Sequence, residues 1–237
     1  MNYYRKKLEV DIHDVDFNGV ARASSLMKYI QGAAQSQLTD NGLSYDVLKS
    51  KKRAFILSRI KMEFTEPVRA YEKLEALTFP CDSRGYSFLR CYALEKDGKT
   101  IGRAVSVWAL IDTDTRSLVK VSDFELGLET YSPLDLALTR ISHPTELITV
   151  GTYKVEYGMV DQNRHMNNTV YPDMYSSFLP LENKRIESIS ISYLTEAPHG
   201  DTLTVQRGFL DGVYYFRTIR SDGKINSEAE IRLSDIN

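Results

Sequence analysis

The stretch Val160-Asp161-Gln162-Asn163-Arg164-His165-Met166-Asn167-Asn168-Thr169-Val170-Tyr171 packs an acid, an imidazole and three asparagines into a short span. In extended chain, side chains two residues apart share a face. That spacing predicts Asp161, Asn163 and His165 on one side and Gln162 and Arg164 on the other. An imidazole moves protons near neutral pH. An amide donates to a developing oxyanion, and a carboxylate fixes the imidazole tautomer or takes a proton itself. Together they make a hydrolytic set. The same residue types also build polar turns, because Asn and Asp side chains bond nearby backbone. Taken alone, the stretch leaves open a loop that caps a helix.

The surrounding chain must supply a scaffold, and its 237 residues suffice for one sizeable core or two small ones. An apolar share of 42% and a charged share of 26% are ordinary for a soluble globular protein. A net charge of −2 offers no general attraction to nucleic acid or to anionic membrane. No apolar run reaches the length of a membrane span. The N-terminal Met1-Asn2-Tyr3-Tyr4-Arg5-Lys6-Lys7 is basic, with no apolar signal-type segment behind it. The expected compartment is therefore the cytoplasm. Cys81 and Cys91 make no disulfide framework and read as buried free thiols. His13, His143, His165 and His199 lack metal-ligand spacing, so no metal and no cofactor is expected.

Leu8 to Ile12 reads as a first strand, followed by the turn-like Asp14-Val15-Asp16-Phe17-Asn18-Gly19. With Ser24 or Ser25 as N-cap, Leu26, Tyr29, Ile30, Ala33, Ala34 and Leu38 then form one helical stripe that ends at Asn41-Gly42. Strands are expected over 54–65, 74–81, 86–96 and 101–112, with Asp97-Gly98 as a hairpin turn. Residues 112–144, with Ser132-Pro133 and His143-Pro144, read as a crossing connection. The pattern then restarts with a strand over 152–159, the polar stretch, and a short helix around 171–179 with Pro172 in its first turn. Four more strands are expected over 185–193, 202–209, 213–220 and 224–233.

The halves align with each other. Asp16-Phe17-Asn18-Gly19-Val20 matches Asp161-Gln162-Asn163-Arg164-His165. Thr65-Glu66-Pro67 matches Thr195-Glu196-Ala197, and Asp97-Gly98-Lys99 matches Asp222-Gly223-Lys224. The separation falls from 145 to 125 residues, so the second half is shorter by about twenty. One helix plus a curved antiparallel sheet, duplicated, is the hot-dog architecture. The expected fold is α+β, a tandem (double) hot-dog paired as a pseudo-dimer. Its units are residues 1–130 and 131–237. Only the second copy carries the imidazole, because Val20 stands where His165 stands. One active site per chain is expected, and the architecture leaves room for a homodimer.

Three passages resemble the fatty acyl-ACP thioesterases of plants and bacteria. Asp161–Tyr171 is similar to that family's D-x-N-x-H-V-N-N-x-x-Y motif, with Met166 in place of Val. Ala104–Asp112 resembles its S-x-W strand, and Thr195-Glu196-Ala197 a later acidic position. The resemblance implies hydrolysis of the thioester between a fatty acyl chain and acyl carrier protein. It puts Asp161, Asn163, His165 and Glu196 in the catalytic positions. Plant members have a cysteine where this chain has Ala197, so a Cys–His mechanism does not carry over. Glu66 stands at the aligned place in the copy without histidine, which leaves a structural role open for Glu196.

The resemblance also places an acyl slot between the long helix and the sheet of the first unit, with Met27, Ile30, Leu57 and Trp108 as candidate lining. An acidic carrier calls for a basic docking face. Lys49, Lys51, Lys52 and Arg53 form one basic run and Lys184-Arg185 a smaller one; such runs are also commonly plain solvated surface. Three rival readings remain at this level: an acyl-CoA thioesterase, a hot-dog dehydratase, and a non-catalytic acyl-binding module. The Asn167-Asn168 pair fits the thioesterases better than a dehydratase.

Overall fold

The computed structural model describes residues 3–144 and 146–236, so Met1 and Asn2 of the basic N-terminal stretch fall outside it. In chain order the first unit runs β1 (Tyr4–Glu9), α1 (Ala23–Asp40), α2 (Tyr45–Ser50), β2 (Arg53–Phe64), β3 (Lys73–Pro80), β4 (Phe88–Lys96), β5 (Lys99–Asp112) and the short β6 (Leu118–Val119). The second runs β7 (Ile148–Lys154), α3 (Tyr171–Ser176), β8 (Lys184–Tyr193), β9 (Thr202–Leu210), β10 (Val213–Ile219) and β11 (Ile225–Asp235).

The strands form one antiparallel sheet in the order β1-β3-β4-β5-β2-β8-β11-β10-β9-β7, with β6 beside β5. The order is a palindrome about the β2–β8 seam, as a duplicated unit paired with itself requires. Lys61 faces Ser190 at the middle of that seam, with Arg59–Ser192 and Glu63–Ser188 at its ends. Ile60, Met62, Ile189 and Ile191 at the seam are buried, so the two cores are continuous. This is the double hot-dog expected from the repeat.

Helix α1 is 18 residues long and buries Leu26, Met27, Ile30, Ala33 and Ala34 against the sheet. It ends at Asn41, and Gly42 takes a φ of 77° that any side chain would resist. Its N-cap is Arg22, not Ser24 or Ser25; those two are buried inside the first turn. The counterpart helix α3 has only six residues and carries Pro172 in its first turn. That difference accounts for most of the residues missing from the second copy.

The connection between the units crosses the outer face of the first half of the sheet. Leu136 packs there on Phe79, Cys81, Cys91 and Val105, and both cysteines are free and buried. Tyr131 exchanges backbone hydrogen bonds with Pro80 and Asp82. The Ser142 N–H then reaches Glu230 in the second unit.

Candidate active site

The polar stretch does not run extended at its centre. Asp161 to His165 is a tight turn closed by two backbone bonds, Asp161 N–H to His165 C=O (3.1 Å) and Arg164 N–H to Asp161 C=O (2.9 Å). Arg164 takes a φ of 66°. The first copy folds the same way, with Gly19 at 71° and Asp16 bonded to Val20 and Gly19. The Asp drives the turn in both, because its carboxylate caps the N–H two residues on. Those bonds are Asp16 to Asn18 and Asp161 to Asn163, each 2.8 Å.

Asp161 therefore faces Asn163, not His165. Besides the backbone bond, its second oxygen accepts weakly from Asn163 Nδ2 at 3.4 Å. The carboxylate that reaches the imidazole belongs to Glu196, whose Oε2 lies 3.2 Å from His165 Nε2. Both side chains are partly exposed, His165 at 30% and Glu196 at 44%, so solvent and substrate can reach the pair.

The backbone register also shows which residue of the first unit stands opposite Glu196. Ala21 N–H bonds Val68 C=O, and Met166 N–H bonds Ala197 C=O. Val20 bridges to Arg69, and His165 to Pro198. In register, Glu196 is the counterpart of Pro67, one residue away from the sequence alignment above. The bend has the same length in both copies, so the shared Thr-Glu pair is a sequence match one residue out of structural register. Glu66 instead sits in a surface ion pair with Lys96 and Lys99, which holds its carboxyl below the usual range. Glu196 thus has no acidic twin in the first unit.

Two cavities meet at this turn. One, of about 350 Å³, is lined by Asp161, Asn163, His165, Glu196, Tyr171 and Tyr193. The other, of about 510 Å³, runs under α1 in the first unit between Leu38, Tyr45, Leu48, Phe88 and Trp108. Asn163, Ala54 and Phe55 line both. Among the residues expected to line a slot, Trp108 is on the second cavity, its Nε1–H satisfied by Ser106 at 2.7 Å. Leu57 lines the polar cavity instead. Met27 and Ile30 are buried in the core and line neither. One wall of the slot is polar: the buried Arg90 donates to Gln37 (2.6 Å) and Thr78 (3.0 Å), and burial lowers its pKa.

Two N–H groups at the start of the following helix are already taken and cannot serve an oxyanion. Thr169 N–H is taken by Asn167 Oδ1 (2.9 Å), and Val170 N–H by Asn167 C=O (2.9 Å). Asn163 remains as the exposed amide at the junction of the cavities.

In the basic run, Lys52 pairs with Asp114 and Arg53 with Asp112, while Lys49 and Lys51 stay exposed at the end of α2. Arg185 is buried on Phe64 C=O (3.0 Å) and Lys184 pairs with Asp235, so the smaller run offers little free charge. Sequence reasoning missed α2, which brings Tyr45 and Leu48 to the slot. Its signal was present: Ser44 caps Val47 N–H, and Asp46 falls in the first turn.

Solved structures share this double hot-dog over their whole length. An acyl-ACP thioesterase from Bacteroides thetaiotaomicron matches with a TM-score of 0.86 at 23% identity, over 98% of each chain. The 12:0-ACP thioesterase from Umbellularia californica matches with a TM-score of 0.82 at 15% identity, covering 98% of this chain and 97% of that one. In sequence, the family model described as the acyl-ACP thioesterase N-terminal domain matches residues 1–126, and the acyl-ACP thioesterase C-terminal domain matches residues 142–235. The chain belongs to the acyl-ACP thioesterase family. It is similar to the chloroplastic oleoyl-acyl carrier protein thioesterase of Coriandrum sativum, at 24% identity over 226 residues, and to oleoyl-acyl carrier protein thioesterase 2 of Arabidopsis thaliana, at 23% over 225. These matches cover 84% of this chain but only 61% and 60% of the two plant proteins.

Proposed function

We propose that this chain hydrolyses the thioester of fatty acyl-[acyl carrier protein], releasing a free fatty acid and the carrier thiol as a step in fatty acid biosynthesis. One observation carries the reading. The Glu196–His165 pair opens onto a cavity that joins an apolar slot at Asn163. A chain held in the slot would present its thioester beside an acid–imidazole pair and a free amide donor.

Water is the nucleophile. Its oxygen attacks the carbonyl carbon while the Glu196–His165 pair takes its proton. The carbonyl electrons move to oxygen, and Asn163 Nδ2–H stabilises that oxyanion. Asp161 holds Asn163 through the turn. The intermediate then expels the sulfur, which leaves as a thiol with the proton returned by the pair. The first unit, residues 1–130, binds the acyl chain, and the second, residues 131–237, carries the chemistry. Lys49 and Lys51, with Lys52 and Arg53 behind them in ion pairs, are the docking candidates for the acidic carrier. The two free buried thiols suit a reducing, cytoplasmic setting.

The test is release of free fatty acid from a panel of acyl-ACPs and matched acyl-CoAs, with His165→Ala as control. Acid formed mainly from acyl-ACP and lost in the variant is the expected result. Preference for CoA would reassign the substrate. An enoyl thioester as product would make the protein a dehydratase, and unchanged substrate would make it a binder.

A further inference from the structure

The second unit has a buried polar network at positions where the first unit is apolar. Ala21 and Met166 make equivalent backbone bonds, and five residues beyond them stand Leu26 and Tyr171. The pairs Phe64–Gly102 and Tyr193–Ser227 are equivalent, as are Leu94–Gly102 and Thr218–Ser227. One residue earlier on the same strands, Ile101 C=O accepts from Thr65 N–H as Asn226 C=O does from Leu194 N–H. Leu26, Leu94 and Ile101 thus correspond to Tyr171, Thr218 and Asn226, all six of them buried.

A polar substitution of this kind needs every group matched. Asn226 is fully buried, and its amide is saturated on three sides. Nδ2 donates to Thr195 C=O (2.5 Å), next to Glu196, and to the Tyr171 hydroxyl oxygen (3.0 Å). Oδ1 accepts from Thr218 Oγ1 (2.9 Å). Thr218 and Tyr175 converge on Ser227 Oγ, each at 2.7 Å. A tyrosine hydroxyl has a single hydrogen to donate. With Asn226 donating into its oxygen, the Tyr171 hydrogen must turn to another acceptor. Among the described residues it bonds none, and Tyr171 lines the cavity that holds Glu196 and His165.

We propose that the Tyr171 hydroxyl donates a hydrogen bond to the attacking water, and that Asn226 is the positioning residue that aims it. The inference rests on the hydrolytic reading above. The water oxygen accepts from Tyr171, gives one proton to the Glu196–His165 pair, and uses its remaining lone pair to form the bond to the carbonyl carbon. Tyr171 keeps its proton throughout. Burial, the main cause, pushes its pKa up to about 12, so it stays a donor over any ordinary assay pH. Through Thr195, Asn226 fixes the backbone that carries Glu196 at the same time.

Tyr171→Phe, Asn226→Leu and the double variant test this, each assayed for free acid released from one acyl-ACP, with melting curves alongside. Tyr171→Phe should lower kcat on the order of 10- to 100-fold with KM unchanged. Asn226→Leu should do at least as much, and the double variant should be no slower than the worse single. The double places an apolar pair where the first unit has Leu26 and Ile101, so its melting temperature should recover toward wild type while its rate stays low. Wild-type kcat in Tyr171→Phe, multiplying losses in the double, or activity that returns together with stability would each overturn the inference. A wild type that releases no acid would overturn the hydrolytic reading as well; a wild type that does so with an unaffected Tyr171→Phe would overturn this inference alone.

Discussion

Asn18 and Asn163 occupy the same place on the same turn, one in each unit, and their side chains meet different surroundings. Asn18 donates to Leu181 C=O (2.7 Å) and Lys184 C=O (3.1 Å) and accepts from Asn183 N–H (3.2 Å). It ties down the loop that follows α3. Among the described residues Asn163 bonds only within its own turn, and it stands exposed where two cavities meet. The slots differ in the opposite sense. Under the long α1 there is open space, whereas beyond the short α3 the ring of Phe178 lies so close to Gly151 that a Cβ there would sit 2.8 Å from it. One backbone plan serves twice, closed and structural in one place, open and chemically equipped in the other.

The difference can be broken residue by residue. His165→Val installs the first copy's residue in the second. It should lower turnover by about 10³-fold with little change in melting temperature, the scale of losing a positioned acid–base group. Asn163→Ala should cost on the order of 100-fold in kcat, as for one lost oxyanion donor, and near-normal turnover would remove Asn163 from the mechanism. Asn18→Ala should leave chemistry intact and cost about 2 kcal/mol in denaturant unfolding, from its three hydrogen bonds to the loop after α3. Equal effects of the two alanines on rate would erase the distinction between the units.

The acids sharpen the contrast. Glu196→Gln should slow turnover by roughly tenfold or more. Glu66→Gln, which removes only a surface ion pair, should shift stability by less than about 1 kcal/mol and not touch rate. Asp201 tests the scaffold below the site. Its nearly buried carboxylate accepts from Arg220 Nε (3.0 Å) and Ser221 Oγ (2.6 Å); burial pushes its pKa up, but the hydrogen bonds together outweigh that and leave it lowered. A depressed carboxyl stabilises the fold above the ordinary Asp pKa, and that contribution is lost as pH falls through the folded value. Asp201→Asn should therefore cost about 3 kcal/mol at neutral pH, with a smaller penalty in acid, by denaturant unfolding at both. Reversing Lys49 and Lys51 should have the smallest effect: KM for acyl-ACP rises roughly a few-fold while KM for acyl-CoA holds. An equal rise for both substrates would dispose of docking there.

Much of this is legible in the sequence. The stripe from Leu26 to Leu38 fixed α1, the Asp-Gly pairs marked the hairpins, and the repeat announced a pseudo-dimer with one imidazole. What escaped was what depends on one residue of register or one dihedral. Whether Asp161–His165 is extended or turned hinges on Arg164 entering positive φ; the clue was Gly19 at the same place in the first copy. The Thr-Glu pair recurs in both copies one residue out of structural register, which made Glu66 look like the twin of Glu196. Slot lining was the least readable. Apolar spacing shows that Met27 and Ile30 face the sheet, but not that packing closes around them while a gap opens nearer Leu38 and Leu48.

The central claim is that one unit binds and the other reacts. The direct measurement is calorimetric binding of a non-hydrolysable acyl thioether of the carrier protein to His165→Val, beside its turnover of the matching thioester. The expected result is one ligand per chain at near wild-type affinity with turnover almost abolished. Loss of binding along with turnover, or turnover that survives the substitution, would contradict it.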